Sequence, residues 1–107
     1  MISSEAKMGT SRKSLTSKKI IDKVCKFYNV SRDDILSKSR TKDINHARQV
    51  ACYLMKYQIK MSFPQIGKEF SRDHTTIMNG VSKIEKSVKF DIEVREQISA
   101  LEELIYE

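Results

Sequence analysis

Apolar positions recur at helical spacing along most of this chain. Ile20, Ile21, Val24, Phe27 and Tyr28 fall on one face of a helix that leaves Lys18, Lys19, Lys23 and Lys26 in water. Thr16 or Ser17 supplies its N-cap, and Asn29-Val30 ends it. Residues 31–34 read as the cap of a short helix containing Ile35 and Leu36. From about Asn45, an apolar stripe runs Ala47, Val50, Ala51, Leu54 and Met55, and Lys60-Met61 closes that helix. Arg48, Gln49, Cys52 and Lys56 lie off the stripe. Further stripes follow at Ile66 and Phe70, at Ile77, Val81, Ile84 and Val88, and at Val94, Ile98, Leu101 and Ile105. No segment alternates with the period of two that a strand requires. The pattern predicts an all-α domain of about six helices.

The segments between the stripes refine this. Residues 37–43 are polar and basic with nothing to bury, which predicts a loop. Residues 62–65 have capping-box spacing, with Gln65 in the place of glutamate, and Pro64 suits a first helical turn. Gly67 costs its helix about 1 kcal/mol of propensity, so a close approach of the next helix is its expected return. Ser71-Arg72 forms a tight turn and Asp73 caps the next helix. Two helices joined in this way make a helix-turn-helix.

The second of these helices opens with Asp73, His74, Thr75 and Thr76. A helix N-terminus offers free N–H groups and the positive end of the dipole. Asp73 can cap the helix or accept from a cytosine amino group, and His74 can donate to a base. Threonine brings a hydroxyl and a methyl group that fits the thymine methyl. The same four residues also suit an ordinary cap followed by surface positions. Met78 on the outer face can pack on thymine methyls or be a plain surface residue.

The chain has 107 residues and a formal net charge of +6, which fits one domain with an anionic partner. Hydrophobic residues make up 39% of it, enough for a modest core. No apolar run approaches the roughly 20 residues that span a bilayer. Residues 1–16 are rich in serine and lysine without periodicity and read as a flexible leader or linker, leaving residues 17–107 as the domain. Cys25 and Cys52 lack metal-ligand spacing and read as buried free thiols. There is no phosphate-loop or dinucleotide fingerprint among the three glycines, and no spacing suggests a catalytic triad. These features exclude a nucleotide hydrolase or metalloenzyme as the expectation, and no cofactor is expected in this domain.

Lys38, Arg40 and Lys42 form a second basic feature. Long cations on a loop neutralise phosphates or enter a narrow A·T-rich minor groove, although a solvated charged loop has the same composition. Arg48 and Gln49 follow on the next helix, where arginine can bond guanine and glutamine can bond adenine. Lys56 and Lys83 suit phosphate contact or simple solubility.

The run Arg72-Asp73-His74-Thr75-Thr76 closely resembles the signature of the C-terminal DNA-binding domain of DnaA, the bacterial replication initiator. Asp34-Ile35-Leu36-Ser37-Lys38 resembles that family's approach to its basic loop, and Arg48-Gln49-Val50-Ala51 with Tyr53-Leu54 resembles its central helix. Phe63-Pro64-Gln65-Ile66-Gly67 and Lys83-Ile84 match as well, so the likeness covers the chain from about Ser17 to Glu107. It implies binding of duplex DnaA boxes close to TTATNCACA at a replication origin, one protein per box, in a bacterial cytoplasm and nucleoid. ATP and the other initiator domains would belong to the longer protein.

The resemblance also implies roles for particular residues. Arg40 enters the minor groove with Lys42 in support, Arg48 reaches a base near its helix start, and Gln49 lies at the backbone. Asp73, His74 and Thr75 read major-groove edges, and Thr76 packs on a thymine methyl or meets phosphate. Lys38, Lys56, Phe63, Pro64, Arg72 and Lys83 hold the sugar-phosphate backbone. The sequence departs from the family where Ser71 replaces a frequent glycine, where Ala47 replaces a common proline, and where Lys42 stands for arginine in some members. Two rival readings remain: a stand-alone helix-turn-helix regulator that dimerises on palindromic sites, and a basic module that meets acidic phospholipid or a protein.

Overall fold

The computed structural model describes residues 15–107, which form six α-helices and no strand. These are α1 (Ser17–Tyr28), α2 (Arg32–Leu36), α3 (Lys42–Gln58), α4 (Phe63–Phe70), α5 (His74–Phe90) and α6 (Ile92–Ile105). The all-α expectation and the six helices hold for the described residues.

Caps set most of the boundaries. Thr16 Oγ1 accepts from the Lys19 N–H at 3.3 Å and Ser31 Oγ from the Asp34 N–H at 3.0 Å. Ser62 and Gln65 form the full reciprocal capping box. Asp91 both ends α5 and caps α6, where its carboxylate accepts from Glu93 and Val94. The first fourteen positions of the expected leader lie outside the described residues. Its last two belong with the domain, because Leu15 is buried in the core and Thr16 caps α1.

Helix α3 runs through the centre, packed against α1, α2, α4 and α5, while α6 closes over α1 and α5. The expected stripes supply the core, with Val24, Val50, Leu54, Ile66, Ile84 and Leu101 fully buried. Two details differ from the sequence expectation. Helix α3 starts at Lys42, so the basic loop is shorter than residues 37–43; Asp43 in the first turn complements the helix dipole. Val88, Phe27 and Tyr28 are only half-buried at the margin of the core. Cys25 and Cys52 are buried free thiols as expected, and Cys52 is 3% exposed although it lies off the stripe, because helices flank α3 on several sides.

The turn between α4 and α5 is tight. Ser71 takes the left-handed conformation, with φ 53° and ψ 47°. The Arg72 N–H donates to Gly67 O at 2.8 Å and the Ser71 N–H to Lys68 O at 3.4 Å, the pattern of a Schellman cap. A left-handed non-glycine residue costs about 1–2 kcal/mol. Glycine returns part of that gain as unfolded-state entropy. Ser71→Gly is therefore expected to stabilise the domain by about 0.5–1 kcal/mol, read as a higher urea midpoint at unchanged slope. An unchanged or lower midpoint would show that the turn carries no such strain.

Candidate nucleic-acid interface

The Schellman turn fixes the direction in which α5 leaves α4. On α5, Ile77, Gly80, Val81 and Ile84 face inward. That leaves His74, Thr75, Thr76, Met78 and Asn79 exposed near the start of the helix. Asp73 caps α5: its Oδ2 accepts from the Thr75 N–H at 3.2 Å, while Oδ1 lies 3.8 Å from His74 Nδ1. The capping alternative is thus realised, and it leaves the second carboxylate oxygen beside the His74 ring.

Next to this helix start lies a cleft of about 620 Å³ between α5, the turn, α3 and the loop after α2. Its walls carry Lys38 and Arg40 from the loop, Gln49 from α3, Arg72 and Asp73 from the turn, and Thr76 and Lys83 from α5. Four of these side chains are cationic and one is a carboxylate, so the concavity favours an anion with an extended charge pattern. Seven of the residues singled out from sequence therefore meet on one concave surface.

The others are placed differently. Pro64 shares a shallow depression of about 390 Å³ with Arg72, Asp73 and His74, across the mouth of the helix-turn-helix. Thr75 is exposed on α5 between these two hollows in sequence, lining neither. Lys56 Nζ sits 4.6 Å from the centre of the Phe63 ring, so these two form a cation–π pair of their own outside the cleft. Lys42, in the first turn of α3, borders a different hollow with Phe27, Tyr28, His46 and Gln97.

Arg48 requires a correction. It was expected to reach a base, but it is 3% exposed and its guanidinium donates to backbone carbonyls around the loop. Burial and the neighbouring Arg72 charge both lower its pKa from the usual arginine range. Arg72, expected at the DNA backbone, is partly buried and also donates to the loop, from Nη2 to Ser37 O at 3.1 Å.

The sequence reading passed over Asn45, Asn79 and Gly80, which line the cleft, and Lys68, which borders the depression. Spacing held a usable signal for two of them. Asn79 stands three residues after Thr76, and Asn45 four before Gln49, each on the same helical face. Gly80 admits the aliphatic stem of Gln49, whose Cγ lies 3.1 Å from where a Cβ would be. It thereby brings α3 and α5 together under the cleft.

Neither thiol belongs to the site. Burial pushes Cys52 up to about 12, and burial followed by the Asp22 charge raises Cys25, so both stay protonated at neutral pH. Among the described residues, no helix is long and apolar enough to cross a membrane.

Comparison with known proteins gives one consistent picture. The family model described as "Bacterial dnaA protein helix-turn-helix" matches residues 17–84, from the start of α1 into α5. The chain is 41% identical over 91 residues to the chromosomal replication initiator protein DnaA of Caldanaerobacter subterraneus subsp. tengcongensis, covering 85% of this chain and 20% of that protein. It is 45% identical over 85 residues to the protein of the same name from Rhizobium meliloti, covering 78% of this chain and 18% of the relative. The chain thus spans about a fifth of the length of these relatives. Among solved structures, a crystal structure of a DNA replication initiation factor superposes with a TM-score of 0.75 at 30% identity, over 95% of this chain and 31% of that one.

Proposed function

The chain belongs to the bacterial DnaA helix-turn-helix family, and from that premise we propose that it binds double-stranded DNA sequence-specifically at DnaA boxes close to TTATNCACA, in the initiation of chromosomal replication. Helix α5 enters the major groove by its first turn, and the loop bearing Lys38 and Arg40 follows the backbone into the adjacent minor groove. One domain occupies one asymmetric box. ATP handling and assembly at an origin belong, in this reading, to other parts of an initiator.

The observation that carries the proposal is the cleft itself. It sets a basic loop opposite a helix whose first exposed residues are Asp73, His74, Thr75 and Thr76. A duplex presents two phosphate backbones with base edges between them, and this surface has cations on both sides of a base-reading helix start. Thr76 and Lys83 on the same helix divide the labour: a hydroxyl and methyl group toward bases, and an ammonium toward phosphate.

Lys83 supplies the test of the cleft as the seat of the duplex. It is exposed, so its removal leaves the core intact. Lys83→Ala is expected to weaken box and random duplexes alike and to flatten the dependence of log K on log salt by about one unit. An unchanged slope would remove Lys83 from the phosphate contacts and shift the duplex away from this wall.

A further inference from the structure

We infer that Arg48 is a positioning residue which, together with Arg72, locks the basic loop to the helix-turn-helix at a fixed separation. The inference rests on the proposed reading of the cleft as a duplex site.

The loop after α2 is held within itself by the Ser39 N–H donating to Ser37 Oγ and the Thr41 N–H to Ser39 Oγ, but little apolar packing fixes it to the rest of the domain. Helix α2 is only five residues long, and residues 37–41 bury no large apolar side chain. Its carbonyls instead converge on one guanidinium. Arg48 Nε donates to Ile35 O at 2.8 Å, Nη2 to Ser37 O at 2.9 Å and to Asp34 O at 3.3 Å. Its Nη1 donates to Ser39 O at 3.1 Å and to Asn45 Oδ1 at 3.4 Å. The bond from Nε gives the Ile35 carbonyl at the end of this short helix a partner, those from Nη2 and Nη1 tie down the Ser37 and Ser39 carbonyls of the loop, and the cation complements the negative end of the helix dipole. Arginine's five donors in a planar fork suit this task, whereas lysine's three donors on one atom do not.

The Ser37 carbonyl accepts a second arginine. Arg72, from the turn that aims α5, donates to it at 3.1 Å. One carbonyl thus joins the loop carrying Lys38 and Arg40, the central helix α3 and the helix-turn-helix. Two elements assigned to different grooves are held as one rigid unit. The spacing between minor-groove and major-groove contacts is then a property of the protein before DNA arrives, which spares the ordering cost a mobile loop would incur on binding.

The test combines the intact protein with a double-substitution cycle. In the free chain, the Arg48 Nε–H, followed by NMR, should exchange with solvent far more slowly than that of Arg40, and it should keep its shift when one box duplex is added. Arg48→Lys should lower box affinity about 10- to 100-fold and speed exchange of the Ser39 and Thr41 amides. Combined with Arg40→Ala, it should cost no more than the larger single loss, whereas combined with Thr75→Ala the two losses should multiply. Fast exchange of the Arg48 Nε–H, a contact from it to a base proton, or independent losses with Arg40→Ala would each overturn the inference. The exchange measurement on the free chain stands even if Arg48→Lys fails to fold. It also separates failure of the lock from failure of the DNA reading, which would show as no preference for the box by the unaltered chain.

Discussion

Thr75→Ala or His74→Ala is expected to lower affinity for a DnaA-box duplex by about 1–3 kcal/mol, while binding to a random duplex of equal length changes far less. Both side chains are exposed on the first turn of α5 and carry no core contact, so their removal leaves the fold unchanged. The Thr75 side chain does not cap the helix; its backbone N–H does that work, donating to Asp73, and survives substitution. His74 Nδ1 lies 3.8 Å from the second Asp73 carboxylate oxygen, beyond hydrogen-bond distance, and the ring stays exposed. A loss confined to the box therefore isolates base reading from electrostatic attraction, because the cations of the cleft remain. Equal losses on box and random duplex, by competition titration, would remove these residues from the base-reading set.

Gly67→Ala is expected to destabilise the domain by about 1–3 kcal/mol and to weaken box binding with it. A Cβ at this position would lie 2.5 Å from the Arg72 carbonyl oxygen and 3.7 Å from the His74 nitrogen. The first is backbone of the turn and cannot rotate away, while the second, at the start of α5, is at ordinary contact distance. The Arg72 N–H donates to the Gly67 carbonyl at 2.8 Å, so any shift that relieves the clash also stretches this bond. The helix-propensity gain of alanine, about 1 kcal/mol, is too small to offset this. Because the displaced turn aims α5, the damage reaches the interface as well as the core. Gly80→Ala makes the matched control, since its Cβ would meet only the flexible Gln49 stem at 3.1 Å. Chemical denaturation of the two variants should separate them clearly, and equal stability of Gly67→Ala and the parent chain would refute the close-approach account.

The contrast between these glycines bears on how much was legible in the sequence. The apolar stripes of α5 and α6 were readable because each helix buries one face, so burial and periodicity coincide. The capping box at Ser62 and Gln65 and the cap at Asp73 were readable because each is a local contact within three residues. Gly67 was flagged correctly as a close approach, although the partner is the turn's own backbone more than the body of the next helix.

Arg48 shows where such reading stops. An arginine at a helix start beside a basic loop looks the same whether it faces a base or the loop's carbonyls, because carbonyls belong to every residue and leave no mark in a sequence. The burial of Cys52 was legible from its residue type, a thiol without ligand spacing, and not from the stripe, since α3 is enclosed from several directions. Leu15 sat inside a polar, serine-rich run whose composition outweighed one apolar residue, yet it packs into the core.

The central claim is selectivity for a sequence, and a direct titration decides it. A labelled duplex with one TTATCCACA box is compared with a scrambled duplex of equal composition over a series of salt concentrations. The account predicts a preference for the box of several kcal/mol, one protein per box, persisting as salt rises and general attraction fades. Equal, salt-steep binding to both duplexes would contradict it and leave only the attraction of a basic surface for any polyanion, including acidic phospholipid.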